Sequence, residues 1–184
     1  LRMGGASELN LVGINPYYHT FFEMLGSGTF VVSHKEAVQY LLGLIDIFGL
    51  EKNRLYFTVP KEDQKFREAL GENGVEQSHI FTLKSNELFW QEWRFGKLGP
   101  VGRGLTVVYS RTDVVQSIYE MTEKPDQFVE LLNLIHIYGQ ATEDGTIVPA
   151  TQPGFDLGMG IERLAAVLQE CNNYQIDSIR PLVE

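Results

Sequence analysis

Asp156, Gly158, Gly160 and Arg163 lie together in the string Phe155-Asp-Leu-Gly-Met-Gly-Ile-Glu-Arg163. A carboxylate can hold an ammonium group, and a guanidinium grips phosphate with a fork of donors. Glycines let backbone and ligand approach closely. The string reads as a Gly-x-Gly turn opening a helix, with Arg163 in its first turn. A cation is mildly unfavourable at that end of a helix, so its presence asks for a reason. One small cavity here could hold an amino group and a triphosphate. Asp156 could also serve as the helix N-cap, and both uses are compatible.

Two other polar placements ask for partners. Glu130 and Asn133 interrupt the apolar run Phe128-Val-Glu-Leu-Leu-Asn-Leu-Ile135. Polar groups inside a strand must be hydrogen-bonded or face water. In His19-Thr-Phe-Phe-Glu-Met-Leu25, Phe22 and Met24 share one strand face, Phe21 and Glu23 the other. The four histidines, His19, His34, His79 and His136, show no shared spacing and read as structural or surface residues. No Cys/His cluster has zinc spacing.

Five strings, in order along nearly the whole chain, resemble the class II aminoacyl-tRNA synthetases in their alanyl-type version. The string around Asp156 looks like motif 3. Arg2-Met-Gly-Gly5 with His19-Thr-Phe-Phe-Glu-Met-Leu-Gly26 looks like motif 2. Phe89-Trp-Gln91 before Gly99-Pro100, Glu130-x-x-Asn133, and Asn173-Tyr-x-Ile-Asp177 complete the set. The resemblance implies a reaction in which an amino-acid carboxylate attacks the α-phosphate of ATP. An aminoacyl adenylate forms and pyrophosphate leaves. Such chemistry depends on neutralising phosphate charge and on in-line positioning.

By the same resemblance, Arg2 would contact the α-phosphate, and Arg163 would lie near the adenine and γ-phosphate. Phe22 would stack on adenine with Met24 beside it, and Gly160 would line the ATP site. Asp156 would pair with the amino group of alanine, with Gly158 close by. Asn133 would orient the substrate, and Glu130 would hold Mg²⁺, which carboxylate oxygens suit. Trp90 would wall the amino-acid pocket, although a Trp is as often plain core. The partners implied are ATP and a small amino acid, with tRNA engaged through other segments or a partner. An oligomer is possible, and no membrane is implied. The setting would be cytoplasmic or organellar. In the family a motif 1 region precedes the counterpart of Leu1, and tRNA-binding and editing regions follow the core. Residues 1–184 would therefore be a catalytic core lacking those parts.

The sequence departs from the family pattern around the amino-acid pocket. Ala6 stands where the family has a lysine, and Thr106 where it has an acid. Ile135-His-Ile-Tyr138 replaces its Val-Phe-Met-Gln. These changes leave two alternatives beside alanine activation. One is activation of another small amino acid for a non-tRNA acceptor. The other is a synthetase-like binding subunit without activity.

The elements that must position these residues mix without regular alternation, which predicts an α+β class with an antiparallel sheet flanked by helices. Ser33-x-x-Glu36 is a capping box opening a helix that buries Val38, Leu41, Leu42, Ile45 and Phe48 and ends at Gly49. Strands are expected at 54–59, 79–83, 105–110 and 128–138. A polar helix is expected at 61–70, stopped by Gly71, and another at 113–121. Residues 96–104 read as a glycine-rich connection and 141–153 as a turn-rich excursion. A final helix is expected over 158–171, burying Ile161, Leu164, Ala165 and Leu168. The 184 residues suit one domain, and no apolar run is long enough to span a bilayer. A net charge of −9 argues against a general nucleic-acid-coating role. The single cysteine, Cys171, excludes an intrachain disulfide and suggests a reducing compartment.

Overall fold

Alternation along the long strands decides the architecture. Phe155, Leu157 and Met159 are apolar at every second position, and so are Leu105, Val107 and Tyr109. That period belongs to strands with one face in a core. The computed structural model describes residues 2–3, 9–30, 32–61, 63–83, 93–94, 98–112, 117, 124 and 127–184. Trp90 and the segment 113–116, where a helix over 113–121 is expected to begin, lie outside the described residues.

The strands are β1 (Arg2–Met3), β2 (Phe21–Phe22), β3 (Met24–Phe30), β4 (Leu55–Pro60), β5 (Ile80–Leu83), β6 (Trp93–Arg94), β7 (Pro100–Ser110), β8 (Phe128–Ala141) and β9 (Ile147–Gly160). The helices are α1 (His34–Ile47), α2 (Gln64–Glu72), α3 (Ile161–Leu168) and the short α4 (Arg180–Val183). One sheet runs β3-β9-β8-β7-β4-β5, with β6 also on β7, and β1 pairs with β2 separately. Among the described strands every pairing is antiparallel except β4 with β5, which are parallel and joined through α2. The expected α+β class with an antiparallel sheet is therefore observed.

One face of the sheet is the core. Leu25, Leu55, Phe57, Leu105, Val107, Leu132, Leu134, Phe155, Leu157 and Met159 meet Val38, Leu41 and Ile45 of α1 and Phe66 and Leu70 of α2. The capping box forms as expected: Glu36 N donates to Ser33 Oγ, and Ser33 N donates to Glu36 Oε2 at 2.8 Å. A positive φ of 69° at Gly49, accessible to glycine without penalty, follows the end of α1.

Four boundaries differ from the sequence expectation. The helix expected over 158–171 spans only Ile161–Leu168, and Gly158 and Gly160 close strand β9 rather than form a turn. The two-residue apolar period holds through Met159 and overrides the helix-like look of the glycines. Leu164 is buried as expected, whereas Leu168 is exposed and Ala166 and Val167 are buried in its place. Strand β7 begins at Pro100, so most of the glycine-rich stretch is strand. The reason is packing: a Cβ at Gly102 or Gly104 would strike Ile135 and the β8 backbone. The excursion after Ala141 is a tight turn at Asp144-Gly145, and β9 starts at Ile147. Helix α2 is capped by Asp63 and runs through Gly71.

Candidate active site

The residues left over by the core alternation gather on the second face. Cross-strand pairs place Met24 opposite Gly160, Gly26 opposite Gly158 and Gly28 opposite Asp156. On the other side of β9, Gly158 lies opposite Asn133 and Asp156 opposite Ile135. Asn133 in turn lies opposite Thr106 of β7. Asp156 and Gly158 are two residues apart on one strand, roughly 6.8 Å. The register thus sets Asp156, Gly158, Asn133 and Thr106 on one face.

Glu130 joins them because of a defect. Three positions apart on a regular strand, Glu130 and Asn133 would face opposite ways. The ladder shifts between Val107 and Val108: Val107 pairs with Leu132, Val108 with Glu130, and Leu131 is left over. This β-bulge turns Glu130 to the side of Asn133. Asn133 Nδ2 donates to Glu130 Oε1 at 3.0 Å, and Thr106 Oγ1 donates to Asn133 Oδ1 at 2.5 Å. The hydroxyl fixes the amide oxygen toward itself and so aims the amide NH₂ at the carboxylate.

Arg163 completes the group from α3. Its Nη1 donates to the Glu130 carbonyl at 3.0 Å and lies 3.6 Å from Glu130 Oε2. Its guanidinium carbon sits 5.9 Å from the centre of the Tyr18 ring, within cation–π range. These contacts hold a cation near a helix start where the dipole disfavours it. Helix α3 begins at the end of β9, and Ile161 N donates to Glu23 O at 3.0 Å. Glu162 locks the same corner, accepting from Glu23 N at 2.9 Å.

Asp156 differs from its neighbours. No described residue hydrogen-bonds or ion-pairs with its carboxylate. Burial alone raises its pKa above the usual carboxylate range. Its use as a helix N-cap is excluded, because the cap of α3 is Gly160 and Asp156 lies mid-strand. A half-buried carboxylate without a partner is unfavourable unless something cationic reaches it.

The glycines divide into two kinds. At Gly154 an added Cβ would collide with the Thr29 carbonyl oxygen and the Phe30 ring, so internal packing requires glycine there. At Gly158 the nearest atom would be Met24 Sδ at 3.5 Å, and at Gly160 Arg163 Cδ at 3.6 Å. Among the described residues nothing comes closer than ordinary van der Waals contact at either position, so packing within the described sheet does not require glycine there.

Of the other expected site residues, Arg2 pairs by backbone with Phe22, which places the two side by side in the small β1–β2 sheet. Phe22 and Met24, expected on one strand face, belong to different sheets, separated by Glu23. Met24 is exposed and leans over Gly158. The string at 173–177 braces this region from behind. Tyr174 Oη donates to Tyr18 O at 2.6 Å and accepts from Gly13 N, and its ring stacks on His19 at 4.8 Å.

By spacing along the chain Thr106 is only the loss of an acid, yet its hydroxyl orients Asn133. Tyr18, under Arg163, carries no signal in the sequence motifs. Their signals lie in cross-strand register and loop placement, which spacing along the chain does not reveal.

A family model described as tRNA synthetases class II (A) matches residues 1–184. Among curated proteins, the alanine–tRNA ligase of Jannaschia sp. (strain CCS1) is 36% identical over all of this chain and 21% of its own length. That of Methylococcus capsulatus is 37% identical over all of this chain and 22% of its length. The mitochondrial alanine–tRNA ligase of Saccharomyces cerevisiae is 34% identical over all of this chain and 20% of its length. The chain spans about a fifth of the length of the curated relatives it matches. The fold is similar to that of apo histidyl-tRNA synthetase from S. aureus, with a TM-score of 0.50 and 9% identity over 82% of this chain and 48% of that one. No helix among the described residues is long and apolar enough to cross a membrane. With a sheet of this topology, a polar cluster at the end of β9 and a family match along its full length, the chain belongs to the class II tRNA synthetases.

Proposed function

We propose that this chain is a catalytic core that activates alanine with ATP, forming alanyl-adenylate for transfer to tRNA. The observation that carries the reading is Asp156. Its half-buried carboxylate shares a sheet face with Gly158 and Asn133 and has no partner among the described residues. The ammonium of a small amino acid is the complementary group. Alanine–tRNA ligases are the relatives that match the whole chain.

In this reading the bound amino acid directs its carboxylate toward the α-phosphate of ATP. One carboxylate oxygen forms the new P–O bond as the bond to pyrophosphate breaks. Asp156 holds the ammonium, and Asn133, its amide set by Thr106, orients the substrate. Arg163 neutralises phosphate charge from a position fixed by Glu130 and Tyr18. Arg2, beside Phe22, approaches the α-phosphate from the β1–β2 sheet, and Phe22 takes the adenine with Met24 next to it. Glu130 suits Mg²⁺: one oxygen is oriented by Asn133, while the other is only 3.6 Å from Arg163 Nη1 and is not fully engaged. The ion would supply further charge neutralisation on the phosphates when bound. The reading implies a compartment that holds ATP and tRNA, cytosolic or organellar.

A second reading is activation of a different small amino acid. It is favoured by Ile135, which lies opposite Asp156 and across Gly102 and Gly104, and so shapes the pocket next to the carboxylate. Exchange of labelled pyrophosphate into ATP, run with each small amino acid, tests both. Alanine-dependent exchange that falls about 10²–10³-fold in Arg163→Ala supports the first. Exchange driven by another amino acid supports the second. A folded protein that neither exchanges nor gains thermal stability with ATP and Mg²⁺ overturns both. Saturation at 100 times a dissociation constant would add about 2.7 kcal/mol.

A further inference from the structure

The covered face of the sheet holds a second polar cluster, on the opposite side of β8 from Asn133. His34 is the first residue of α1, Asp63 caps α2, and His136 projects from β8. One ligand atom from each lies within 4.8 Å of the other two. His34 Nε2 and Asp63 Oδ2 are 3.6 Å apart, too far for a hydrogen bond. Four-coordinate zinc with bonds of about 2.0–2.2 Å sets its ligands roughly 3.4 Å apart, so this pair is already at metal-bridging distance.

Three further features mark the cluster as more than a solvated ion pair. His34 Nε2 is buried and has no hydrogen-bond partner. The two imidazoles pack edge-to-face, with ring centres 4.5 Å apart, and the Phe66 and Phe155 rings close around them at 4.8–4.9 Å. Asp63 is preset: its Oδ1 accepts from Lys65 N at 3.2 Å, which leaves Oδ2 turned toward His34. A cavity of about 430 Å³ opens on His34 and His136, which gives an ion a way in and room for a water as fourth ligand. Lys35 and Lys65 line it and oppose a cation; Glu68 and Glu72 offset them, Glu72 through an ion pair with Lys35 at 3.3 Å.

From this geometry we infer that His34, Asp63 and His136 form a binding site for a divalent first-row transition cation, separate from the candidate active site. Two imidazoles and one carboxylate with an open position suit zinc or ferrous iron rather than Mg²⁺ or Ca²⁺, which prefer all-oxygen shells. The ion would tie the start of α1 and the cap of α2 to the middle of β8. It would therefore stabilise the folded state whether or not the chain activates an amino acid.

The test uses tag-free protein stripped with chelator, titrated with Zn²⁺ by calorimetry, with Co²⁺ absorption reporting the coordination geometry. Binding of one ion per chain is expected, with a Tm rise of roughly 5–10 °C at 100 times the dissociation constant. Asp63→Asn keeps a good N-cap and removes the charged ligand. It and His136→Gln should each weaken binding at least about 10-fold. His79→Gln should leave binding unchanged, because His79 lies elsewhere, stacked on Tyr56. Absence of binding to the native protein overturns the proposal, and so does Asp63→Asn binding as tightly as native. Should His136→Gln fail to fold, Asp63→Asn alone decides.

Discussion

The two faces of strands β7, β8 and β9 are built from the same residues taken alternately, and they follow opposite rules. On the covered face nearly every position is apolar and enclosed, and apart from the cluster of His34, Asp63 and His136 the side chains pack against one another. On the second face the strands carry Gly158, Asp156, Asn133, Thr106 and Glu130. Most of these polar groups satisfy one another, but Asp156 has no partner among the described residues, and packing within the described sheet does not require the glycines beside it. A protein optimised only for stability would treat the two faces alike. The difference shows where stability has been given up, and such places are where ligands are expected.

The largest effect separating the faces is on stability. Leu41 of α1 is fully buried against the covered face. Leu41→Ala should lower the unfolding free energy by about 2–5 kcal/mol through lost burial and a cavity. Denaturant titration measures it. A loss well under 1 kcal/mol would mean that the covered face is not the structural one.

That covered face was largely legible from the sequence, because a period of two or of 3.6 residues is written into every element that packs on it. The capping box at Ser33, the apolar stripe of α1 and the strand around Phe57 follow from local spacing. The candidate site was legible in its residues but not in its geometry. Asp156, Asn133, Glu130 and Arg163 stand out as polar groups in apolar surroundings or as a cation at a helix start. Nothing local shows that a bulge at Leu131 brings Glu130 to Asn133, or that Gly158 and Gly160 extend a strand. Both depend on pairing with β7 and β3, far away in the chain. The histidines illustrate the same limit: His34 and His136 share no spacing, and only the sheet brings them to Asp63.

The next effect is on binding, with the opposite sign for stability. Asp156→Asn should reduce amino-acid-dependent exchange by about 10²-fold or more through loss of the ammonium partner. It should leave folding stability unchanged or slightly raised. Burial raises the pKa of Asp156, so the folded state favours its protonated form. Its contribution to stability is present below the unfolded value and is lost as pH rises through the raised folded value. Native protein should therefore be penalised above that range, and the variant should not. Amino-acid affinity should fall as pH drops through the same range, since only the carboxylate attracts ammonium. Denaturant midpoints for both proteins across mildly acidic to neutral pH check the first point, and exchange KM across the same range checks the second. Equal pH slopes for native and variant would remove Asp156 from the argument.

The smallest effect is the most pointed, because Thr106 is where the two faces meet in one residue. It sits in β7 between Leu105 and Val107, both core, and its own side chain is buried, yet it belongs to the polar face. Thr106→Val preserves shape and removes only the hydroxyl. The Asn133 amide oxygen would lose its donor, at a cost of about 1 kcal/mol or somewhat more in stability. If the hydroxyl matters mainly for aiming the amide, KM for the amino acid should rise roughly 5–10-fold while kcat changes less, and Thr106→Ser should restore both. A Thr106→Val protein destabilised as strongly as Leu41→Ala, with unchanged KM, would place Thr106 with the structural face and break the comparison at its boundary. The split between KM and stability separates these outcomes, because a hydroxyl that only filled space would move the second and not the first.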